Sequence, residues 1–259
     1  MIDPRAVIYD GAQIAEGVEI GPFSVIGSEV VIGEGCKISS HVVINGKTTL
    51  GKNNRIYQFA SVGEEPIDRT FHGELSQTII GDDNIIREGV TIHGGTAKDR
   101  CITEIGSRNL IMNYVHIGHD CILGNNITLV NYCGLAGHVI INDFVTIGIS
   151  CGVHQFVRVG SYVFVAHSTM VLKNVPPYLM VTGGIKATPC GVNVEGLKRT
   201  GFTKEQLSNV QAAYKILYRQ GLRLVEAIEK IKELRDEKDA KELDLFIEVL
   251  SSSDRGVIR

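Results

Sequence analysis

The sequence predicts a mainly β protein, in which a parallel β-helix of six-residue repeats precedes a small α-helical domain. An aliphatic residue returns at every sixth position over residues 8–62, again over 80–92 and, after a shift of one residue, over 105–171. From about residue 190 the spacing changes to the three or four residues of an amphipathic helix. We therefore expect the β-helix over residues 1–190 and the helical domain over residues 191–259.

Each repeat combines its aliphatic residue with a small or β-branched residue two positions earlier, such as Ala6, Val18 or Ser24. A glycine often follows, as at Gly21. Alternate residues of a strand point to the same side, so both repeat residues would face the interior, and the glycine would ease the turn. Three repeats would close a triangular coil of 18 residues. The pattern resembles the left-handed parallel β-helix, and only that resemblance gives the hand.

Two segments interrupt the repeat, residues 64–77 and 94–101, and we expect loops there at the corners of the coil. Insertions in repeat proteins often build the binding face, so these loops mark a candidate site. In the second domain, a helix should begin at a capping box from Thr203 to Gln206 and end at Gly221. Further helical segments follow it.

Composition excludes several classes of protein. The net charge of −3 gives no electrostatic case for nucleic acid. The N-terminus lacks the pattern of a signal peptide, and no stretch approaches the roughly 20 apolar residues of a membrane span. We expect a cytoplasmic protein without stable membrane insertion, whose cysteines are reduced. Four cysteines occupy the small inward position of a repeat and should be buried rather than bind metal: Cys36, Cys121, Cys133 and Cys151.

The motif HIGHD, residues 116–120, carries two histidines and an aspartate. With 18 residues per coil, Gly137 and Gln155 stack on His119, and His138 stacks on Asp120. A polar cluster should therefore gather on one side of three successive coils, beside the loops, and comprise His116, His119, Asp120, His138, His154 and Gln155. Such a concentration of histidines favours a functional site over ordinary surface residues.

Six motifs are spread over the whole chain: HIGHDC, LAGH at 135–138, VHQF at 153–156, NVPPY at 174–178, NVEGLKR at 193–199 and the terminal RGVIR. Together they resemble the motifs of the acyl-ACP:UDP-N-acetylglucosamine O-acyltransferases, which catalyse the first step of lipid A synthesis. The resemblance implies transfer of a 3-hydroxyacyl group from acyl carrier protein to the 3-hydroxyl of UDP-N-acetylglucosamine. It implies a homotrimer with sites between neighbouring helices, and no cofactor or metal.

The resemblance also assigns residues. It implies that His119 is the general base, Asp120 its partner and the Gly137 amide the oxyanion donor. The positions that would contact the nucleotide sugar or the acyl chain are Asp68, His116, His138, His154, Gln155, Asn193, Glu195 and Arg199. His167 stands where long-chain members have glycine, which implies a chain shorter than the fourteen carbons of the best-known members.

The chain departs from the family pattern at three basic positions, which here are Thr70, Gly94 and Thr200. Positive charge instead gathers across residues 191–223, where we expect the acidic carrier protein to dock. These cations are Lys198, Arg199, Lys204, Lys215, Arg219 and Arg223, against Glu195 and Glu205.

Three alternatives remain open. An N-acyltransferase of the same pathway shares the β-helix and a catalytic histidine, but usually has an additional N-terminal domain, whereas the repeat here starts at residue 6. A nonenzymatic scaffold would not need a base paired with a carboxylate. A zinc site between subunits, as in gamma-class carbonic anhydrases, is less favoured, because that family's carboxylate-plus-three-histidine pattern is not evident.

Overall fold

The six-residue period produces three flat parallel sheets that form the faces of a triangular prism. The computed structural model describes residues 1–251 and 256–259. Up to Val171, consecutive strands go to successive faces. The fold is a left-handed parallel β-helix followed by helices, as the sequence predicts.

Most strands have only two residues, because a corner follows almost at once. The first face contains β1 Val7–Ile8, β4 Val25–Ile26, β7 Val43–Ile44, β10 Ser61–Glu64, β13 Thr91–His93, β16 His116–Ile117, β19 Gly134–Leu135, β22 Gly152–Val153 and β25 Met170–Val171. The second face contains β2 Gln13–Ile14, β5 Val31–Ile32, β8 Lys47–Leu50, β11 Gln77–Ile80, β14 Ile102–Ile105, β17 Ile122–Leu123, β20 Ile140–Ile141 and β23 Arg158–Val159. The third face contains β3 Glu19–Ile20, β6 Lys37–Ile38, β9 Arg55–Ile56, β12 Ile85–Ile86, β15 Leu110–Ile111, β18 Thr128–Leu129, β21 Thr146–Ile147, β24 Phe164–Val165, β26 Leu179–Thr182 and β27 Thr188–Val192. Each strand from β1 to β22 pairs with the third strand after it, whereas β24 pairs with β26 and β26 with β27.

The interior is a column of the repeat's aliphatic residues. From Ile20 onward every aliphatic residue of the series is buried, whereas Ile8 and Ile14, in the first coil, are only partly covered. The four cysteines at the small inward position are buried as expected, and burial raises the pKa of the Cys121 thiol to about 12. A thiol of this kind is a poor nucleophile.

The glycine that follows many aliphatic residues has a different role from the one expected. At Gly21, Gly118 and most other such positions it does not adopt the left-handed conformation, although Gly63 does; that conformation mostly falls later in the corner, at side-chain-bearing positions such as Asp120 and His138. Instead the glycine gives clearance between coils. A Cβ on Gly118 would lie 2.9 Å from the carbonyl oxygen of Leu135 in the next coil, closer than real Cβ contacts allow.

The two interruptions of the repeat leave the register intact on either side. Residues 65–76 separate β10 from β11, and residues 94–101 separate β13 from β14. Beyond both, His116 lies opposite Gly134, and Gly134 opposite Gly152, which is the expected spacing of 18 residues per coil. The loops therefore leave the prism and return to it with the 18-residue spacing restored beyond them, although a bulge at the end of β10 places Glu64 opposite His93.

Four α-helices and one 3-10 helix follow the prism within the described residues. They are α1 Val194–Arg199, α2 Lys204–Arg219, α3 Leu224–Glu237, the 3-10 helix Lys241–Leu243 and α4 Asp244–Ser251. The capping box of Thr203 and Gln206 is present at the start of α2. Strand β27 runs antiparallel to β26 and spans residue 190, so the division into domains there stays a prediction.

The C-terminal end of the chain returns to the prism. Val257 pairs with Asn174, and both Val257 and Ile258 are buried. Of the RGVIR motif, the arginine at position 255 lies outside the described residues. None of the helices in the described ranges is long and apolar enough to cross a bilayer.

Candidate active site

The predicted polar cluster lies along the edge where the chain turns from the first face to the second. His119 and Asp120 follow strand β16, and Gly137 and His138 follow β19. Successive corners are joined by backbone hydrogen bonds, such as the one from the His138 N–H to the His119 carbonyl oxygen at 2.9 Å. The stack of His119, Gly137 and Gln155 predicted from the coil length is therefore observed.

His119 is paired with a buried carboxylate. Its Nδ1 lies 2.8 Å from Oδ2 of Asp120, and the two side chains are 14% and 1% exposed. A carboxylate at Nδ1 favours the tautomer with the proton on that nitrogen, which leaves the lone pair of Nε2 available as a base. The backbone of Asp120 is in the left-handed region (φ 59°), and this corner conformation places the Asp120 side chain next to that of His119.

Asp120 is fully hydrogen-bonded despite its burial. Thr96 donates to it from both its backbone N–H and its hydroxyl, at 2.8 and 2.7 Å. Burial raises the pKa of the Asp120 carboxyl, but the hydrogen bonds from His119 and Thr96 outweigh it, so the pKa lies below its ordinary value. The carboxylate is therefore charged at neutral pH and can stabilise a protonated His119.

His138 forms a second pair with a carboxylate. Its Nδ1 lies 2.9 Å from Oδ2 of Asp99, and its Nε2 faces Asp120 Oδ2 at 3.8 Å. Its ring stacks on Phe156 with centroids 4.4 Å apart and meets the ring of His119 edge-on at 5.0 Å. These contacts fix the orientation of His138 beside the candidate base.

His116 lies on the first face next to the same edge. Thr91 contacts its Nδ1 at 2.9 Å, and the ring of His93 is 5.4 Å away. Burial, and then the nearby His93 and His119, lower the pKa of His116 below its ordinary value. His116 is therefore a neutral hydrogen-bonding group at neutral pH.

Asp68 is brought towards the edge by the two loops. Lys98, from the second loop, lies 3.2 Å from one of its oxygens, and Thr70 donates to the other from its backbone and hydroxyl. These bonds from Thr70 and Lys98 hold the pKa of Asp68 well below its usual range. Thr70 is one of the positions where the family pattern has a basic residue and this chain does not. The cation beside Asp68 is instead Lys98, from the second loop.

Three predicted site residues lie elsewhere in the chain. Asn193, Glu195 and Arg199 line a pocket of about 590 Å³ along the edge between the second and third faces. The aromatic rings of Phe144 and Tyr162 form its wall on the prism. Asn193 is fixed there as the cap of α1, with its side-chain amide donating to the Tyr162 carbonyl. A single chain therefore does not bring this group to His119.

The remaining predicted residues are exposed. His154 and Gln155 lie on the His119 edge, and the ring of His154 has one hydrogen-bond contact among the described groups, with the Gln155 carbonyl oxygen at 3.2 Å. His167 follows β24 of the third face, at the edge between the third and first faces. It has the same place in its hexapeptide as His119, but on a different edge.

Comparison with known proteins identifies the family. A family model described as Udp N-acetylglucosamine O-acyltransferase, domain 2, matches residues 174–258. The acyl-(acyl-carrier-protein)–UDP-N-acetylglucosamine O-acyltransferases of Pseudomonas entomophila and Pseudomonas putida are each 46% identical over 258 residues, covering 100% of this chain and 99% of theirs. The chain belongs to the UDP-N-acetylglucosamine O-acyltransferase family.

Solved structures agree with this assignment. The UDP-N-acetylglucosamine acyltransferase of Francisella novicida superposes with a TM-score of 0.97 at 52% identity, covering 100% of this chain and 94% of that one. LpxA from Acinetobacter baumannii gives 0.96 at 43% identity, covering 100% and 99%. The family resemblance drawn from the sequence motifs is confirmed, and the chain is an acyltransferase of this family.

Sequence reasoning missed three residues at the edge of this O-acyltransferase. Thr96 and Asp99 contact Asp120 and His138, and Lys98 contacts Asp68. All three belong to the loop 94–101, where the repeat is broken and stacking arithmetic gives no neighbours. The expectation that loops build the site was the only available signal.

The same edge has a geometry that a metal ion could use. Ligand atoms of His119, Asp120 and His138 all lie within 4.8 Å of one another. In the present arrangement the closest of these atoms, His119 Nδ1 and Asp120 Oδ2, are joined by a hydrogen bond, and Thr96 donates to both oxygens of the carboxylate. The expectation of a metal-free site stays a prediction.

Proposed function

We propose that this O-acyltransferase moves an (R)-3-hydroxyacyl group from acyl carrier protein to the 3-hydroxyl of UDP-N-acetylglucosamine, the first step of lipid A biosynthesis. The observation that carries the proposal is the pairing of His119 with the buried carboxylate of Asp120, at 2.8 Å, on the loop-flanked edge. The names of relatives identical at 46% over the full chain supply the two substrates.

The mechanism follows from the protonation states of the pair. Nε2 of His119 takes the proton of the sugar hydroxyl as its oxygen attacks the thioester carbonyl. Asp120 stabilises the imidazolium that forms. When the tetrahedral intermediate collapses, the carbon–sulfur bond breaks, and His119 returns the proton to the departing thiolate of the carrier. No metal, cofactor or covalent enzyme intermediate takes part.

Gly137 is the proposed oxyanion donor. Within the described residues its backbone N–H makes no hydrogen bond to protein, a property it shares with the stacked corner residues His119 and Gln155. An amide aimed at the oxyanion is worth about 3 kcal/mol in comparable sites. His116 and His138, already fixed by Thr91 and Asp99, serve as hydrogen-bonding groups for the sugar nucleotide.

A homotrimer would complete the site. Asn193, Glu195 and Arg199 line a pocket on a different edge from His119, so one chain alone presents two half-sites. In such a trimer the edge that carries His119 in one copy would pack against the edge that carries Asn193 in the next. This is a head-to-tail contact, and three of them can close into a ring. Light scattering should give a mass three times the 28.2 kDa of the chain, and a monomer would contradict this arrangement.

Helix α2 carries the proposed docking surface for acyl carrier protein. Lys204, Ser208, Gln211, Lys215 and Arg219 form an exposed stripe along the helix that contains no acid. The cations of this stripe are Lys204, Lys215 and Arg219. They form no ion pair in the described part of the chain, so their charge is available to an acidic partner. Lys198 and Arg223 are instead paired, with Glu195 and Glu226 respectively.

The location we propose is the cytoplasm, where the nucleotide sugar and the acylated carrier are both found.

A transfer assay with UDP-N-acetylglucosamine and 3-hydroxyacyl carrier proteins of several lengths tests the function. We expect transfer by the wild-type chain and loss of at least a hundredfold in His119→Ala, with an unchanged melting temperature. Near wild-type turnover in His119→Ala would contradict the role of His119 as the general base. Transfer only to an amino sugar nucleotide would favour the N-acyltransferase, and stoichiometric zinc in the active protein would favour the metal site.

A further inference from the structure

Thr96 donates a hydrogen bond to each oxygen of the Asp120 carboxylate. Its N–H donates to Oδ1 at 2.8 Å, and its hydroxyl donates to Oδ2 at 2.7 Å. The same Oδ2 accepts from Nδ1 of His119 at 2.8 Å. Since an ionised carboxylate oxygen offers two lone pairs, Thr96 and His119 use one each. The carboxylate plane is thereby held in the direction of the imidazole.

Water does not compete for these bonds. Thr96 is 3% exposed and the Asp120 side chain 1%. Hydrogen bonds to a buried charged group are stronger than those between neutral groups at a surface. The two hydrogen bonds from Thr96 should therefore restrict the orientation of the Asp120 carboxylate strongly.

The backbone of Thr96 is held as firmly as its side chain. Its carbonyl oxygen accepts from the N–H groups of Asp99 and Cys101, at 3.2 and 3.0 Å, which closes the loop upon itself. Residues 97–100 are exposed, so Thr96 lies at the closed base of the loop and not at its tip. Gly95, directly before it, has no room for a side chain, because a Cβ there would overlap the backbone nitrogen of Ile102.

From this geometry we infer that Thr96 is a positioning residue for the base, which acts on the reaction through Asp120 by fixing the His119 imidazole in one tautomer and orientation. The inference rests on the proposed role of His119. A carboxylate released from Thr96 would keep its charge but would rotate about its Cβ–Cγ bond. The Nδ1 hydrogen bond would then be populated for only part of the time. Small displacements of a catalytic group reduce turnover steeply.

The test compares Thr96→Val with Thr96→Ser in the full-length protein. Valine keeps the shape and the backbone N–H but removes the hydroxyl, whereas serine keeps both donors. Thr78→Val is the matched control. Thr78 is also buried, it lies opposite Thr103 in the adjacent coil, and its hydroxyl has no partner among the described residues.

In the transfer assay we expect kcat to fall about tenfold in Thr96→Val, which corresponds to one hydrogen bond to a charged group. The KM for UDP-N-acetylglucosamine should stay within twofold, because Thr96 does not need to touch substrate. Thr96→Ser and Thr78→Val should keep kcat within threefold of wild type. A kcat within twofold in the valine variant, an equal loss in the serine variant, or a rise in KM alone would each overturn the inference.

A second measurement does not depend on the reaction. Long-range ¹⁵N–¹H spectra of histidine-labelled protein report the His119 tautomer directly. Wild type should show the proton held at Nδ1, and Thr96→Val should show a mixture of tautomers with an unchanged Tm. If the chain transfers no acyl group to this sugar, the proposed function fails, while the spectra still decide about Thr96. An identical tautomer in both proteins contradicts the positioning role.

Discussion

The ring of His119 lies directly against the backbone of Gly137, one coil further along. A Cβ on Gly137 would be 2.6 Å from Nε2 of His119 and would occupy the space of the imidazole. The backbone of Gly137 is not in the left-handed region, so its conformation would accept a side chain. The missing side chain therefore makes room for the candidate base and serves no purpose in the turn.

Substitution Gly137→Ala should consequently inactivate the enzyme without unfolding it. The methyl group forces the His119 ring away from its place beside Asp120, and a displacement of this kind can cost about a hundredfold in turnover. Transfer kinetics and thermal unfolding together check this expectation.

The matched control is Gly134→Ala in the same coil. Apart from its chain neighbours, no atom of the described residues lies within 4 Å of a Cβ on Gly134, so this variant should keep activity within a few-fold of wild type. Full activity in Gly137→Ala would show that the base does not need its present position. A similar loss in both variants would point to a general sensitivity of the coil.

The pH dependence of stability should contain a contribution from His116. Burial lowers its pKa in the folded state below the unfolded value of about 6.5. The unfolded state therefore binds the proton more readily, and stability is lost as pH falls through about 6.5 towards the folded value. Above that window His116 is neutral in both states and contributes no slope.

Denaturant unfolding at pH 7.5 and 5.5 measures this contribution. Wild type should lose more free energy of unfolding between the two values than His116→Asn, in which the titrating group is absent. Asparagine keeps a polar group for Thr91, so the variant should fold. Equal losses in the two proteins would mean that His116 is not kept neutral by its surroundings.

The repeat made most of the prism and one half of the site predictable, because an 18-residue coil assigns each residue a neighbour. His119, Gly137 and Gln155 were placed together by this arithmetic alone, and the register of β16, β19 and β22 agrees. The role of the repeat's glycines was wrong, because clearance between coils depends on backbone geometry that the period does not contain.

The rest of the site depends on contacts that no period describes. Thr96 and Asp99 reach the edge from a loop whose path is fixed only by its own hydrogen bonds. The predicted basic surface stays a prediction, but its last cation has an acidic neighbour that the comparison of charges did not include. Arg223 donates two hydrogen bonds to Glu226, at 2.9 and 2.7 Å, and this acid lies just beyond the segment whose charges were compared.

The α2 stripe makes a separate prediction about the carrier protein. The double variant Lys215→Glu and Arg219→Glu should raise the KM for acyl carrier protein about tenfold at low salt, because it reverses charges that are free in the chain. The effect should shrink as salt increases, since these exposed charges are screened. The KM for the nucleotide sugar should not change.

Arg223→Glu provides the control for that prediction, because Arg223 is already paired with Glu226, whereas Lys215 and Arg219 form no ion pair among the described residues. Its KM for acyl carrier protein should rise less than that of the double variant. If reversal at Lys215 and Arg219 changes neither KM nor its salt dependence, the carrier docks elsewhere.

His167 makes the last prediction, which concerns the length of the acyl chain. It is exposed at the edge between the third and first faces, so it can meet a substrate bound at His119 only across a contact between two copies. The Cα of Gly148 packs beneath it, where a Cβ would lie 2.8 Å from the His167 backbone nitrogen. The His167 backbone therefore has little freedom to retreat.

A groove between two packed prisms has stiff walls, and an imidazole at its end should shorten it. Each methylene that stays unburied forfeits about 0.8 kcal/mol, or roughly fourfold in affinity. We therefore expect wild type to prefer a medium 3-hydroxyacyl chain and His167→Gly to prefer a longer one. The control is His41→Gly, an exposed histidine on the same edge several coils away, which should leave the preference unchanged. Assays across donor lengths decide the matter: an optimum that does not lengthen in His167→Gly removes His167 from the groove but leaves the acyl transfer itself untouched.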